Sequence, residues 1–264
     1  MNARRENVTQ PGLSSQGTVA DYIAAAGFVL AMLAGIASAL SGLGYRFGWW
    51  HFTTGFAILR GAAYCGIGAA AVSLIGGIAV RHGHRRSVVL LAAAGILLGL
   101  ATAGIPWSWM RTAQQVPRIH DITTDTVNPP QFVSVMPLRK DAANPAEYGG
   151  PDIAAQQRAA YPDIGPLVLP VPLPAAYERA LRTAEGMGWH IVDANAAEGR
   201  IEATETSFWF GFKDDIVVRI TPVSGGSRID VRSVSRVGKS DVGVNAKRVR
   251  TYLRELAAMD GRSG

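Results

Sequence analysis

Residues 22–43, YIAAAGFVLAMLAGIASALSGL, contain no Asp, Glu, Lys or Arg. A helix of about 20 apolar residues crosses the hydrocarbon core of a bilayer, so this stretch is read as a membrane span. Residues 55–80, GFAILRGAAYCGIGAAAVSLIGGIAV, and residues 87–107, SVVLLAAAGILLGLATAGIPW, meet the same criterion. Arg60 is the one strong charge within the three spans. It lies about one turn from the start of its span, where a long side chain can reach the headgroups, and a functional intramembrane Arg is the alternative. From Arg111 onward charge returns in the mixture usual for a water-soluble domain.

The chain of 264 residues has a formal net charge of +6, and its distribution decides what that means. Up to Met110, seven Lys and Arg face two acidic residues, whereas beyond it 19 face 18. The excess therefore flanks the spans, where it orients the chain, and a nucleic-acid partner is not expected. Arg4 and Arg5 precede the first span, and Arg81, Arg85 and Arg86 crowd the second loop, which marks both as cytoplasmic. Trp49, Trp50, Trp107 and Trp109 fall at span ends, where aromatic rings favour the membrane interface. A cytoplasmic tail (1–21) and three spans (22–110) place the remainder outside the cytoplasmic membrane. The expected location is the bacterial inner membrane, with a periplasmic or other extracytoplasmic C-terminal domain. Ala37-Ser38-Ala39 admits a cleaved signal peptide as the rival reading, but the apolar run exceeds most such segments and the orientation is unchanged.

Gly27, Ala31, Gly35 and Ala39 recur at every fourth position of the first span, and Gly95, Gly99 and Ala103 do so in the third. Such faces let helix backbones approach closely, which implies a tight three-helix bundle and offers a route to a homo-oligomer. The spans carry too few polar side chains for a conduction pathway. Cys65 is the one cysteine, so an intrachain disulfide is excluded.

Twelve of the 14 prolines fall between Pro106 and Pro174, which makes residues 111–174 an extended strap with one short helix near Ile153 to Ala160. Residues 175–264 read as an α+β domain. Tyr177, Ala180, Leu181 and Ala184 share a helix face, and strands follow at Trp189 to Ala194, Arg200 to Phe210, Ile216 to Ile220 and from Ile229. A last helix spans about Val242 to Met259. The fold expected is thus an all-α transmembrane three-helix bundle followed by helix, four-stranded antiparallel sheet, helix, with both helices on one sheet face. The other face is solvated, covered by the strap, or used for binding.

Several separated segments resemble one family. They are Arg200-Ile201-Glu202-Ala203, Phe210-Gly211-Phe212-Lys213-Asp214-Asp215, Arg232 to Gly238 and Asp241 to Asn245, with Ile119 to Asp125, Pro129-Pro130 and Phe132 upstream. Together they are similar to the bacterial domain-of-unknown-function 1499 family over about Arg118 to Leu256. The resemblance implies a domain often joined to membrane helices and supplies no catalytic residues. The helix, hairpin and returning strands are also loosely similar to envelope lipoprotein modules of helix-grip type, a likeness of fold alone.

Gly238-Lys239-Ser240 precedes a helix as a phosphate loop would, but Ser233 stands where the first glycine of that motif belongs, and Ser240 or Asp241 serves as a helix cap instead. Arg232, Arg236, Lys239 and Arg248, with Asn245 nearby, could gather into an anion-binding surface for a lipid headgroup or a partner's carboxylates. The competing reading pairs them with Asp214, Asp215, Asp230 and Asp241 as fold determinants. Phe208-Trp209-Phe210-Gly211-Phe212 holds more aromatic area than one strand face can hide, so Trp209 and Phe212 join the candidate surface, with Trp209 facing away from the three phenylalanines if the strand continues. His120, Asp121 and Asp125 form a polar loop that could serve acid/base or metal chemistry, although turn formation explains them as well. No cofactor is expected. The leading expectation is a noncatalytic envelope module that binds or scaffolds a protein or lipid partner; the rival is a hydrolase-like enzyme using His120, Asp121 and the Arg232 to Asn245 segment.

Overall fold

The structure is a computed structural model that describes residues 14–79 and 86–258. Arg4, Arg5, Arg81 and Arg85, on which the orientation argument leans, lie outside the described residues. The chain divides into two compact units at Ser108 and Trp109.

The first unit holds α1 (Ser14–Arg46), α2 (Phe52–Ala79) and most of α3 (Arg86–Gln115). All three are long and apolar enough to cross a membrane. Their packing uses the small residues named above. A Cβ on Gly27 would lie 2.4 Å from Ser73 Oγ, and one on Gly99 would lie 2.4 Å from the Gly66 carbonyl oxygen. Ala24, Ala31 and Ala69 are buried beside them, while Val29, Leu33, Ile67 and Leu97 point outward. This is the inside-out arrangement suited to lipid, in which close backbone approach and not hydrophobicity selects the buried face. Gly27, Gly95 and Gly99 are thereby consumed inside the bundle, and Ala39 is exposed.

The second unit is an antiparallel sheet with helices on one face. After β1 (Asp121–Thr123) come a 3-10 turn (Met136–Arg139), α4 (Gly150–Ala160), β2 (Leu167–Leu169) and α5 (Leu173–Gly186). Then follow β3 (His190–Asn195), β4 (Arg200–Thr206), β5 (Lys213–Val223), β6 (Gly226–Ser235) and α6 (Val244–Ala258). The sheet order is β1-β6-β5-β4-β3, with β2 also on β6. The four expected strands are present as β3 to β6, and the proline-rich segment adds two more. Both short strands use the same edge of β6: β1 opposite Arg232–Val234 and β2 opposite Ser227–Ile229. Gln157 of α4 then closes the outer edge of β1, its amide accepting from Thr123 N at 3.0 Å and donating to Thr123 O at 2.6 Å. A side chain so placed answers the unpaired backbone groups that make an edge strand a template for aggregation.

Strand alternation sorts the sheet into two faces. Ile201, Ala203, Ile216, Val218, Ile220, Ile229 and Val231 meet α5 and α6 in the main core, where Trp189 stacks on Tyr252 at 4.9 Å and the Tyr252 hydroxyl donates to Ala180 O. The opposite face is covered by the strap. It has a small apolar cluster of Phe132, Val135, Val217 and Val234, and is otherwise lined by charge.

Candidate functional site

On the strap face, neighbouring strands set Glu202 beside Val217 and Arg232, and Thr204 beside Asp215 and Val234. Each charged side chain in this array has partners. The Arg232 guanidinium is fully buried and donates to both oxygens of Asp121, at 3.0 and 2.8 Å, and to the Pro130 and Ala146 carbonyls. It also lies 5.2 Å from the Phe132 ring centre and 5.5 Å from that of Tyr148. Burial pushes the Asp121 carboxyl up and Arg232 opposes that; burial likewise pushes the Tyr148 phenol up to about 12. Asp215 receives Arg236 through two nitrogens, Arg139 through one, and the Thr204 hydroxyl at 2.7 Å. The buried Glu202 carboxylate accepts the backbone N–H groups of Val133, Ser134 and Val135, and pairs with Arg200. Glu202 thus gathers the three amides just before the 3-10 turn onto a strand of the sheet.

Asp125 binds Arg219 and Arg228 at 3.1 Å each and accepts from Val127 N and Asn128 N. Burial alone would raise its pKa, but those amides and the two guanidinium groups outweigh it and hold the carboxyl below its ordinary value. On the helix face, Arg248 pairs with Asp214 and Glu205 and donates to Ser233 Oγ, while Asn245 Nδ2 donates to His120 O and Ser235 Oγ.

The structure therefore separates residues that the sequence grouped. Arg232, Asn245 and Arg248 are buried, and a buried side chain presents no surface to a partner. Arg236 is half-buried and tied to Asp215. The competing reading holds in part: Arg248 pairs with Asp214 and Arg236 with Asp215, whereas Arg232 pairs with Asp121, Asp230 is held by Arg219 and Arg228, and Lys239 is exposed. Asp241 differs: its carboxylate accepts Gly243 N and Asn245 N and so caps α6. His120, Asp121 and Asp125 are not brought together; Asp121 turns to Arg232, Asp125 to Arg219 and Arg228. Among the described residues, no cluster of three or more His, Cys, Asp or Glu could hold a metal.

The aromatic run is a correction. β4 ends at Thr206, and Ser207 to Phe212 form a closed turn instead of continuing the strand. Ser207 N donates to Phe212 O, Phe212 N donates to Ser207 Oγ, and Gly211 N donates to Ser207 O. Gly211 has φ 70°, a conformation that suits glycine. Phe210 is buried and stacks on Phe212 at 5.1 Å, Trp209 is half-buried and meets Phe210 edge-on, and Phe208 is 90% exposed. Phe208, absent from the candidate surface read from sequence, is the most exposed of these rings because the turn abolishes the alternation that placed it with Phe210.

Hydrogen bonds fix what surrounds this turn. Arg236 N donates to Lys213 O, Asp241 N to Ile119 O, and the Ser240 hydroxyl to Pro117 O. One end of the sheet thus carries the β4–β5 turn, the Arg236 to Gly243 loop, the start of α6 and the segment leading into β1. Arg118, Lys213 and Lys239 are exposed there. A shallow depression between Gln114, Arg118 and Lys239 opens at the same end. In the loop, Val242 adopts φ 55°, a strained conformation for a β-branched residue.

Fold and geometry define a class: a strapped α+β domain preceded by helices of membrane-spanning length and composition. A family model described as a protein of unknown function (DUF1499) matches residues 121–256, and the chain belongs to that family. No curated protein and no solved structure matches the chain.

Proposed function

We propose that this is an envelope protein whose three helices hold it in the cytoplasmic membrane, with the C-terminal domain on the outer side, acting as a noncatalytic binding or scaffolding module. The observation that carries the reading is the division of labour between side chains. The ionisable groups on the strap face are engaged in joining strap to sheet, whereas Phe208 and the cations Arg118, Lys213 and Lys239 at the β4–β5 end are exposed. Buried, mutually satisfied charge rigidifies a domain, and exposed rings beside cations are what an interaction surface offers.

The enzyme reading must now be tested at His120 alone. Asp121 holds Arg232, so its replacement would loosen the strap whatever the function. Two experiments test the proposal. A C-terminal reporter that works only outside the cytoplasm should be active, and a photo-crosslinking residue at Trp209 should capture a discrete adduct in intact cells. A reporter active only in the cytoplasm, or no adduct together with lost function in His120→Ala, would refute it.

A further inference from the structure

The β4–β5 end of the domain is also the end at which the domain's own first residues join the sheet. Met110–Gln115 continue α3, Val116 to His120 lead into β1, and β1 begins opposite Val234, next to the strand end that meets Lys213. At 1.5 Å per helical residue the six residues of α3 advance about 9 Å. The five that follow extend at most about 17 Å. The β1 start of the sheet is therefore leashed within about 26 Å of Trp109, a residue suited to the headgroup layer.

What the leashed end presents is amphipathic. Phe208 is 90% exposed and Trp209 half-buried, and the exposed cations Arg118, Lys213 and Lys239 share that end. Aromatic rings favour the interface, and Lys and Arg favour a surface of negative headgroups. A bare helix N-terminus is not the anion site, because the Asp241 carboxylate already occupies the first amides of α6. Selectivity for anionic lipid thus falls to the three side chains.

We infer that the Ser207 to Phe212 turn binds an anionic bilayer surface, with Phe208 entering the headgroup layer and Arg118, Lys213 and Lys239 binding anionic phospholipid. This deepens the binding-module reading and rests on it, naming lipid as the ligand. Each cation near an anionic surface is worth roughly fivefold in occupancy at moderate salt.

The test uses the full chain in nanodiscs. Phe208→Cys in a Cys65→Ser background carries an environment-sensitive fluorophore, and discs of phosphatidylcholine are compared with discs containing phosphatidylglycerol. The expected result is a blue-shifted label shielded from an aqueous quencher in the anionic discs, and less so in the neutral ones. Raising the salt or substituting Arg118, Lys213 and Lys239 with Ala should erase the difference. A label that stays in water in both discs overturns the proposal. So does one shielded equally in both and indifferent to the three substitutions, because headgroup charge then selects nothing. A label shielded in native membranes but not in either disc overturns it too and assigns the surface to a protein, leaving the tethered binding module standing.

Discussion

Replacing Arg232 with Met removes the guanidinium from a position with no solvent exposure and leaves the Asp121 carboxylate buried without its counter-ion. Breaking a buried pair from one side costs about 3–5 kcal/mol. The Pro130 and Ala146 carbonyls lose a donor as well, at about 1–3 kcal/mol each where water cannot replace it. The sum is comparable with the whole stability of an ordinary domain, about 5–15 kcal/mol. The loss should appear first where Arg232 acts, by freeing the strap from β6. Hydrogen exchange in the full chain should show the amides of β1 opening while those of β4 and β5 retain more protection. A double-mutant cycle with Asp121→Asn should give a coupling of about 3 kcal/mol. Arg232→Met combined with Asp121→Leu should recover the part due to the unpaired carboxylate but not the part due to the carbonyls. A cost for Arg232→Met below about 1 kcal/mol, the range of exposed ion pairs, would refute the view that this pair locks the strap.

Other changes probe the same interface and its surroundings. Glu202→Gln keeps the shape but weakens three amide contacts and the Arg200 pair, and should cost about 2 kcal/mol, read as faster proteolysis at residues 133–139. Asp125 has a folded-state pKa below its unfolded value of about 3.9, so its stabilisation is present above that pH and is lost as pH falls through the folded value. Exchange at residues 124–128 should therefore accelerate in that acidic window, and Asp125→Asn should abolish the pH dependence. Gly226→Ala drives a Cβ to 2.0 Å from the Leu169 carbonyl oxygen and should cost about 3 kcal/mol or more by forcing β2 from β6, measured by chemical denaturation. Val242→Gly relieves a left-handed β-branched residue, worth about 1–3 kcal/mol, against about 0.5–1 kcal/mol of added chain entropy; a modest rise in denaturation midpoint is expected.

What the sequence disclosed follows from the range of the forces involved. The spans and α5 are legible because their signal is the local spacing of apolar residues, and the two helices on one sheet face follow from the same periodicity. The strap face is not legible in that way. Asp121 and Arg232 are 111 residues apart, and Arg139 and Asp215 are 76 apart. Near-equal numbers of cations and anions in the second half look like an ordinary solvated surface until the topology places them in register. The short β1 and β2 escape for a related reason, since each has three residues and exists only because β6 offers it an edge.

The aromatic run shows the opposite failure, in which a strong local preference misleads. Phe and Trp favour strands, so a run of them invites the extension of β4. The decisive residues are the quiet ones on either side: Ser207, whose backbone and hydroxyl close the turn, and Gly211, whose positive φ lets the chain reverse. Once the turn forms, Phe210 is buried and stacks on Phe212, and Phe208 stays exposed. Buried charge on the strap face and an exposed ring at its end are thus two results of one arrangement. The strap covers the sheet surface on which Arg232 and Arg236 were expected to meet a partner, which is why the proposed binding surface lies instead at the end of the sheet where the strap begins.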